Sequence, residues 1–171
     1  TREDMRLVME KLDRINHIIE QTLSLAKSGE AVYKQCNINS IIEELLLFMQ
    51  YKMQKAQIEV ETRLDQKVPD IYADSGQLQQ VMLNLMVNAM EAMGSNGKLV
   101  IKTRPARDRS LGPCVRCAIS DTGDGIDRDI QKSLFEPFFT TREQGTGLGL
   151  FISNKLVRRH GGSIKVKSSA G

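Results

Sequence analysis

"EPFFTTREQGTGLGL", residues 136–150, sets two phenylalanines and two threonines ahead of glycines at 145, 147 and 149. Glycine lets backbone N–H groups approach a phosphate closely, so this run is a candidate nucleotide loop. It is not G-x-x-x-x-G-K-[ST], and its alternate glycines are not G-x-G-x-x-G either. The loop runs straight into a segment that reads as a helix over about 148–159. Helix N-termini present unpaired N–H groups and the positive end of a dipole, so an anion is favoured there. Arg142 adds a charge-assisted contact for a terminal phosphate. A plain linker is the competing reading, but linkers rarely carry Phe138 and Phe139, which favour burial. Phe135 and Phe138 are expected to anchor the base of a mobile flap, with the glycines as its hinge.

Upstream, "AISDTGDGIDRD" (118–129) drives a strand into an Asp-Gly turn. Asp121 then stands at a strand end, where a carboxylate can accept a hydrogen bond from the exocyclic amine of adenine; guanine has no amine at that position. A bare Asp-Gly turn is the simpler alternative. A calcium loop fails, because its third position is Gly123 and its twelfth is Lys132. Earlier still, "QLQQVMLNLMVNAMEAM" (77–93) carries an apolar stripe of Leu78, Val81, Leu85, Ala89 and Ala92. Gln77, Gln80, Asn84, Asn88 and Glu91 form a polar stripe beside it. Two asparagines at i and i+4 aim two amides at one spot, and an amide oxygen is a hard, neutral ligand suited to Mg²⁺ on phosphates. A solvated polar face competes with that reading, although such faces usually carry Lys and Glu rather than the poor helix former Asn.

The 171 residues carry 24 basic and 21 acidic side chains, a net +3 that argues against nucleic acid as a partner. The chain has no Trp and few aromatics on which bases would stack. Cys36, Cys114 and Cys117 are odd in number, which suits reduced thiols in the cytoplasm. Cys114 and Cys117 sit in a predicted strand with their side chains on opposite faces, so they read as structural. No run approaches the roughly 18 apolar residues of a membrane span. Beginning at Thr and ending in "SSAG", the sequence is expected to be a piece of a longer protein, with any membrane anchor elsewhere.

Residues 1–28 read as one long helix whose seam, Met5, Val8, Leu12, Ile15, Ile19, Thr22 and Ala26, needs a partner helix. His17 falls on its outward side, and His160 stands at a helix end before Gly161-Gly162. Asn39 or Ser40 caps a second helix over 41–56, followed by strands at 58–64 and 68–73. Asp74 and Gln77 form a capping box opening a helix over 75–93. Asn96-Gly97 is a hairpin-type turn joining strands 98–104 and 115–121, with the polar 105–113 at the far end. A short helix at 129–134 and a last strand at 163–168 complete an α+β chain with helices on one face of a mixed sheet.

Four segments, "NLMVNAMEA", "DTGDGI", "FEPFF" and "GTGLGL", resemble the N, G1, F and G2 boxes of bacterial sensor histidine kinases, in that family's order within about 65 residues. "HGGSIKVKS" also follows as it does there. The family belongs to the ATPase superfamily shared with gyrase and mismatch-repair ATPases. The short lid is similar to that of the nitrogen-regulation kinases. The resemblance implies a two-layer α/β sandwich of the Bergerat type over 39–171, with its final strand truncated. It implies a linker at 30–38 and, at 1–29, the second helix of a dimerisation and histidine phosphotransfer hairpin.

For individual residues, the resemblance implies that Asn88 holds the Mg²⁺ of bound ATP. Asn84 takes the place of the Glu base of gyrase-type relatives, which suits a kinase because hydrolysis would waste ATP; with Arg142 it belongs to the catalytic set. Asp121 would read the adenine, with Gly123, Gly125 and Ile126 shaping the pocket. Thr140, Thr141 and Arg142 would lie in the lid, and Gly145, Thr146, Gly147, Leu148 and Gly149 would wrap the phosphates. Glu91 stands beside them, where some relatives carry Lys or Arg. The family's acceptor motif, His followed by Asp or Glu, is missing: His17 precedes Ile18. The implied protein is an ATP-dependent histidine kinase, itself a phosphoprotein and homodimer, that passes phosphate to an Asp of a response regulator receiver domain. A nucleotide-sensing switch without phosphotransfer is the alternative.

Overall fold

The computed structural model describes Met5 and residues 31–108, 112–142 and 145–168. The expected bundle helix over 1–28, with His17, lies outside the described residues apart from Met5. Strand β1 (Lys34–Cys36), within the segment read as a linker, leads to α1 (Ile38–Lys55), β2 (Glu59–Leu64) and β3 (Ile71–Ala73). Then come α2 (Ser75–Met93), β4 (Lys98–Asp108), β5 (Gly112–Ser120), α3 (Arg128–Ser133) and α4 (Gly149–Arg159). β1 pairs antiparallel with β3, and a second sheet has the order β2-β4-β5. β2 runs parallel to β4 from Glu59 against Lys98 to Leu64 against Thr103. Parallel neighbours need a long crossover, which β3 and α2 supply. β4 and β5 are antiparallel from Val100 against Ser120 to Asp108 against Gly112, so the sheet is mixed, as expected.

Alternation along β4 buries Leu99, Ile101 and Thr103 toward the helices. They meet Ile42, Leu45, Met49 and Met53 of α1 and Leu78, Met82, Met86 and Met90 of α2 in one core. The buried stripe of α2 is therefore a methionine row at steps of four. Leu85 and Ala92, expected in it, are only half-buried, because the helix is covered on two sides and its second apolar side faces α4. There Val81 packs with Leu148, Ile152 and Leu156. Methionine, unbranched and flexible, fills the irregular space between two helices and a twisted sheet.

The structure corrects the expected cap of α1, the Asn96-Gly97 hairpin turn, the 105–113 connection and the strand at 163–168. The cap of α1 is Asn37, whose side chain accepts from Asn39 N at 2.9 Å, rather than Asn39 or Ser40. Asn39 is instead buried, donating to Asp65 O at 3.0 Å and accepting from the Thr103 hydroxyl at 2.7 Å. Asn96-Gly97 does not join β4 to β5: Asn96, at φ 57°, leads from α2 into β4 and donates to Ala56 O at 3.0 Å. The two strands extend through most of the polar segment and connect beyond Asp108, because a polar sequence on a solvent-facing antiparallel pair is compatible with a ladder. Residues 163–168 join no ladder among the described residues, although Ile164, Val166 and Ser168 are half-buried and alternate with exposed neighbours. That alternation needs only an extended backbone.

Asp74 caps α2 by accepting from Gln77 N at 3.0 Å. In a full capping box Gln77 would reach the Asp74 backbone N–H, but it bonds the Asp74 carboxylate instead, at 3.3 Å. His160 Nε2 accepts from Asp74 N at 3.0 Å, and its Nδ1 lies 2.8 Å from Leu156 O. The ring is therefore the Nδ1–H tautomer, tying the end of α4 to the start of α2. The chain leaves α4 through Gly161, at φ 73°, with Gly162 N bonded to Val157 O, a Schellman ending.

Two predictions follow from this core. Thr103→Val removes the only donor that Asn39 Oδ1 has among the described residues, so it should cost about 1–2 kcal/mol in urea unfolding. The second concerns Cys117, on the core side of β5, whose thiol burial pushes up to about 12. A thiol is charged only when deprotonated, and the unfolded chain loses that proton nearer 9.0. Above that value the unfolded state binds fewer protons than the folded one, so stability falls as pH rises toward 12. At about pH 8 iodoacetamide should leave Cys117 unmodified in the native protein and alkylate it in urea, as read by peptide mass spectrometry.

Candidate functional site

The polar face of α2 is where the predicted site residues gather. From the flap, Arg142 Nη2 donates to Asn88 O at 3.1 Å and Nη1 to Asn88 Oδ1 at 3.5 Å, and the guanidinium also pairs with the Glu91 carboxylate. The turn after β5 closes on the end of the same helix: a Cβ on Gly123 would lie 2.7 Å from Ala92 O. The start of α4 reaches it too, since a Cβ on Gly149 would overlap the Asn84 amide. Flap, acidic turn and helix N-terminus thus meet along two turns of α2.

The two asparagines do not aim at one spot. Asn84 Nδ2 donates to Ser153 Oγ at 2.8 Å, and Ser153 is 1% exposed on α4. Asn84 therefore locks α2 to α4, leaving Asn88 and Glu91 to face the flap. Sequence reasoning missed Ser153, although a small polar residue one turn after Gly149 on an otherwise apolar helix face was the available signal.

Asp121 is exposed, and its Oδ1 accepts from Gly123 N at 2.9 Å. This turn fixes the carboxylate and leaves Oδ2 for another donor. Thr122 Oγ1 accepts from Lys98 N at 2.9 Å, anchoring the turn to β4. Gly125 has φ 79°, and Ile126 is held through its backbone, its N–H donating to Ser168 Oγ at 2.8 Å and its carbonyl accepting from Gln131 at 2.9 Å.

In the flap, Thr140 and Thr141 are exposed, and Thr140 Oγ1 accepts from Arg142 N at 3.1 Å. Gly145 packs against Thr140, and Gly147, at φ 66°, packs against the Phe138 backbone, each too close for a Cβ. Phe138 is itself at φ 65° and 72% exposed, so it does not anchor the flap as expected; Phe135 and Phe139 are half-buried. The left-handed backbone at Phe138 turns its ring outward as the chain doubles back against Gly147. Thr146 Oγ1 accepts from Leu148 N at 3.3 Å, and Leu148 is buried. Unlike α1 and α2, α4 has no side-chain cap, so its N-terminal donors remain for a ligand.

Residues 73–171 match the family described as histidine kinase-, DNA gyrase B-, and HSP90-like ATPase. The chain is 36% identical over 169 residues to the signal transduction histidine-protein kinase AtoS of Escherichia coli (strain K12), covering 99% of this chain and 27% of that protein. It thus spans about a quarter of that relative's length. Among solved structures it is similar to the catalytic domain of histidine kinase ThkA, at 32% identity and a TM-score of 0.67, over 75% of this chain and 82% of that one. Histidine kinase ThkA in complex with response regulator protein TrrA matches with a TM-score of 0.73 at 29% identity, over 91% of this chain and 43% of that one.

Proposed function

This chain belongs to the family of histidine kinase-, DNA gyrase B- and HSP90-like ATPases, and from that membership we propose that it is the ATP-binding catalytic part of a sensor histidine kinase. The γ-phosphoryl of ATP passes in line to a ring nitrogen of a histidine on a helix outside this chain. The bond to the β-phosphate breaks as the P–N bond forms. The carrying observation is the convergence on α2 of the flap arginine, the Asp121 turn and the uncapped start of α4.

In this reading Asp121 Oδ2 accepts the adenine amine, and α4 holds phosphate through its first N–H groups. Arg142 leaves Glu91 for the γ-phosphate, exchanging one anion for another. Asn88 Oδ1, a neutral amide oxygen with only a long hydrogen bond from Arg142 among the described residues, fits Mg²⁺, which when bound neutralises charge across the phosphates. The Asn84 amide, bonded to Ser153, offers no base to activate water. Relay to a response regulator, a cytoplasmic setting and homodimerisation belong to the same proposal. Among the described residues, no helix is long and apolar enough to cross a membrane.

The test mixes this chain with Mg·ATP and a separate fragment bearing a candidate acceptor histidine. Labelled phosphate should appear on that fragment and not on His17. ATP binding without any transfer would favour the nucleotide-sensing switch, for which the solvent-accessible Arg142–Glu91 contact is the supporting observation. Asn88→Ala should lower ATP affinity about tenfold in magnesium and leave affinity in EDTA unchanged, as measured by calorimetry.

A further inference from the structure

The outward face of α1 carries the largest run of exposed apolar side chains on the described surface. Leu47, Phe48 and Tyr51 are 74%, 77% and 77% exposed, while Ile42, Leu45, Met49 and Met53 on the opposite side fill the core. Two of the chain's eight aromatic residues, from five Phe and three Tyr, thus face away from the fold on one helix. Helix propensity does not ask for this, since Lys and Glu serve an exposed helix face better.

The charges along this face are ordered. Glu44, Phe48, Tyr51 and Lys55 recur at steps of four, three and four, so they lie in one narrow stripe with the acid first and the base last. Among the described residues Glu44 accepts a single 3.3 Å hydrogen bond, from half-buried Gln79, and none pairs with Lys55. Turned end for end, the stripe is its own complement. An antiparallel copy centred between residues 49 and 50 sets Glu44 against Lys55, Phe48 against Tyr51, and Leu47 against the Lys52 stem, each contact made twice. A parallel copy would oppose like charges.

We propose that the outward face of α1 is a self-association surface, pairing antiparallel about a two-fold axis with α1 of a second copy of this chain. The two-fold order of acid, aromatics and base is what favours a second copy over an unrelated partner. The three apolar side chains offer on the order of 450 Å² per copy. That gives about 900 Å² in all, below the range of permanent interfaces and within that of transient ones. The contact is therefore weak between free chains, and strong only where another segment already holds two copies close together.

The chain has no tryptophan, so Phe48→Trp supplies a single tryptophan at the centre of the face, excited selectively beyond the tyrosine absorption. Its emission in the full chain should shift to the blue, and become shielded from acrylamide, as protein concentration rises. Adding Glu44→Lys or Lys55→Glu alone sets like charges together at both ends and should weaken association roughly three- to tenfold. An equimolar mixture of these two variants should restore the shielding, because each substituted end then meets its opposite. Superimposable circular dichroism spectra would show that folding is unchanged. Copies already joined elsewhere would show shielding at all concentrations, and the same loss and rescue would support the proposal. A tryptophan open to acrylamide at every concentration would overturn it, as would a mixture that behaves as the average of its components.

Discussion

Asp121→Asn is expected to weaken ATP binding by roughly a hundredfold, about 2.7 kcal/mol, with the fold intact. The substitution keeps size and shape. It replaces an acceptor-only carboxylate by an amide whose outward group is either a weaker neutral acceptor or an NH₂ that faces the adenine amine donor to donor. The Gly123 N–H fixes one oxygen of Asp121, so the amide oxygen is drawn to that position and the NH₂ is left toward the ligand. Affinity by calorimetry, with an unchanged urea midpoint, is the expected pair of results. ATP affinity equal to that of the unsubstituted protein would remove Asp121 from the adenine site.

Gly147→Ala should be nearly as severe, for a different reason. At φ 66°, an alanine there carries about 1–2 kcal/mol of backbone strain. Its Cβ would also overlap the carbonyl of Phe138, which cannot move without disturbing its own left-handed turn. The flap should unseat, lowering stability by about 2–3 kcal/mol in urea unfolding and weakening ATP binding together with it. Phe138→Gly is the contrasting measurement: it relieves a strained, 72% exposed position and should leave stability unchanged or raise it by up to about 1 kcal/mol. Equal losses in the two variants would show that the close approach of Gly147 and Phe138 is not what seats the flap.

The sequence made the described helices and the mixed sheet legible because each rests on local signals. Asp74 marks the start of α2 and Gly161 the end of α4 by cap chemistry, and β4 alternates. What escaped depends on contacts between distant segments. Asn39 looks like a cap in sequence, yet Thr103 and Asp65, far along the chain, draw it into the core. Asn84 and Asn88 have the spacing of a shared site, but Ser153 claims one of them. His160 read as a routine helix end, and nothing near it in sequence shows that it binds the first residue of the α2 cap. Phe138 read as buried because phenylalanine usually is; only the backbone's return past Gly147 turns it outward.

If Arg142 holds phosphate as proposed, its pairing with Glu91 tunes the response to nucleotide concentration. Glu91 is a tethered anion, present at a constant local concentration, and under the proposed function the nucleotide's phosphate would compete with it for one guanidinium. The contact is half exposed, with 39% and 51% of the two side chains open to solvent, so it holds the flap with less than about 1 kcal/mol. Such an internal competitor scales the half-saturation point by a few-fold without touching the response at saturation. Under the proposed function Glu91 would in that sense set the threshold at which the flap engages, adjustable by a single side chain.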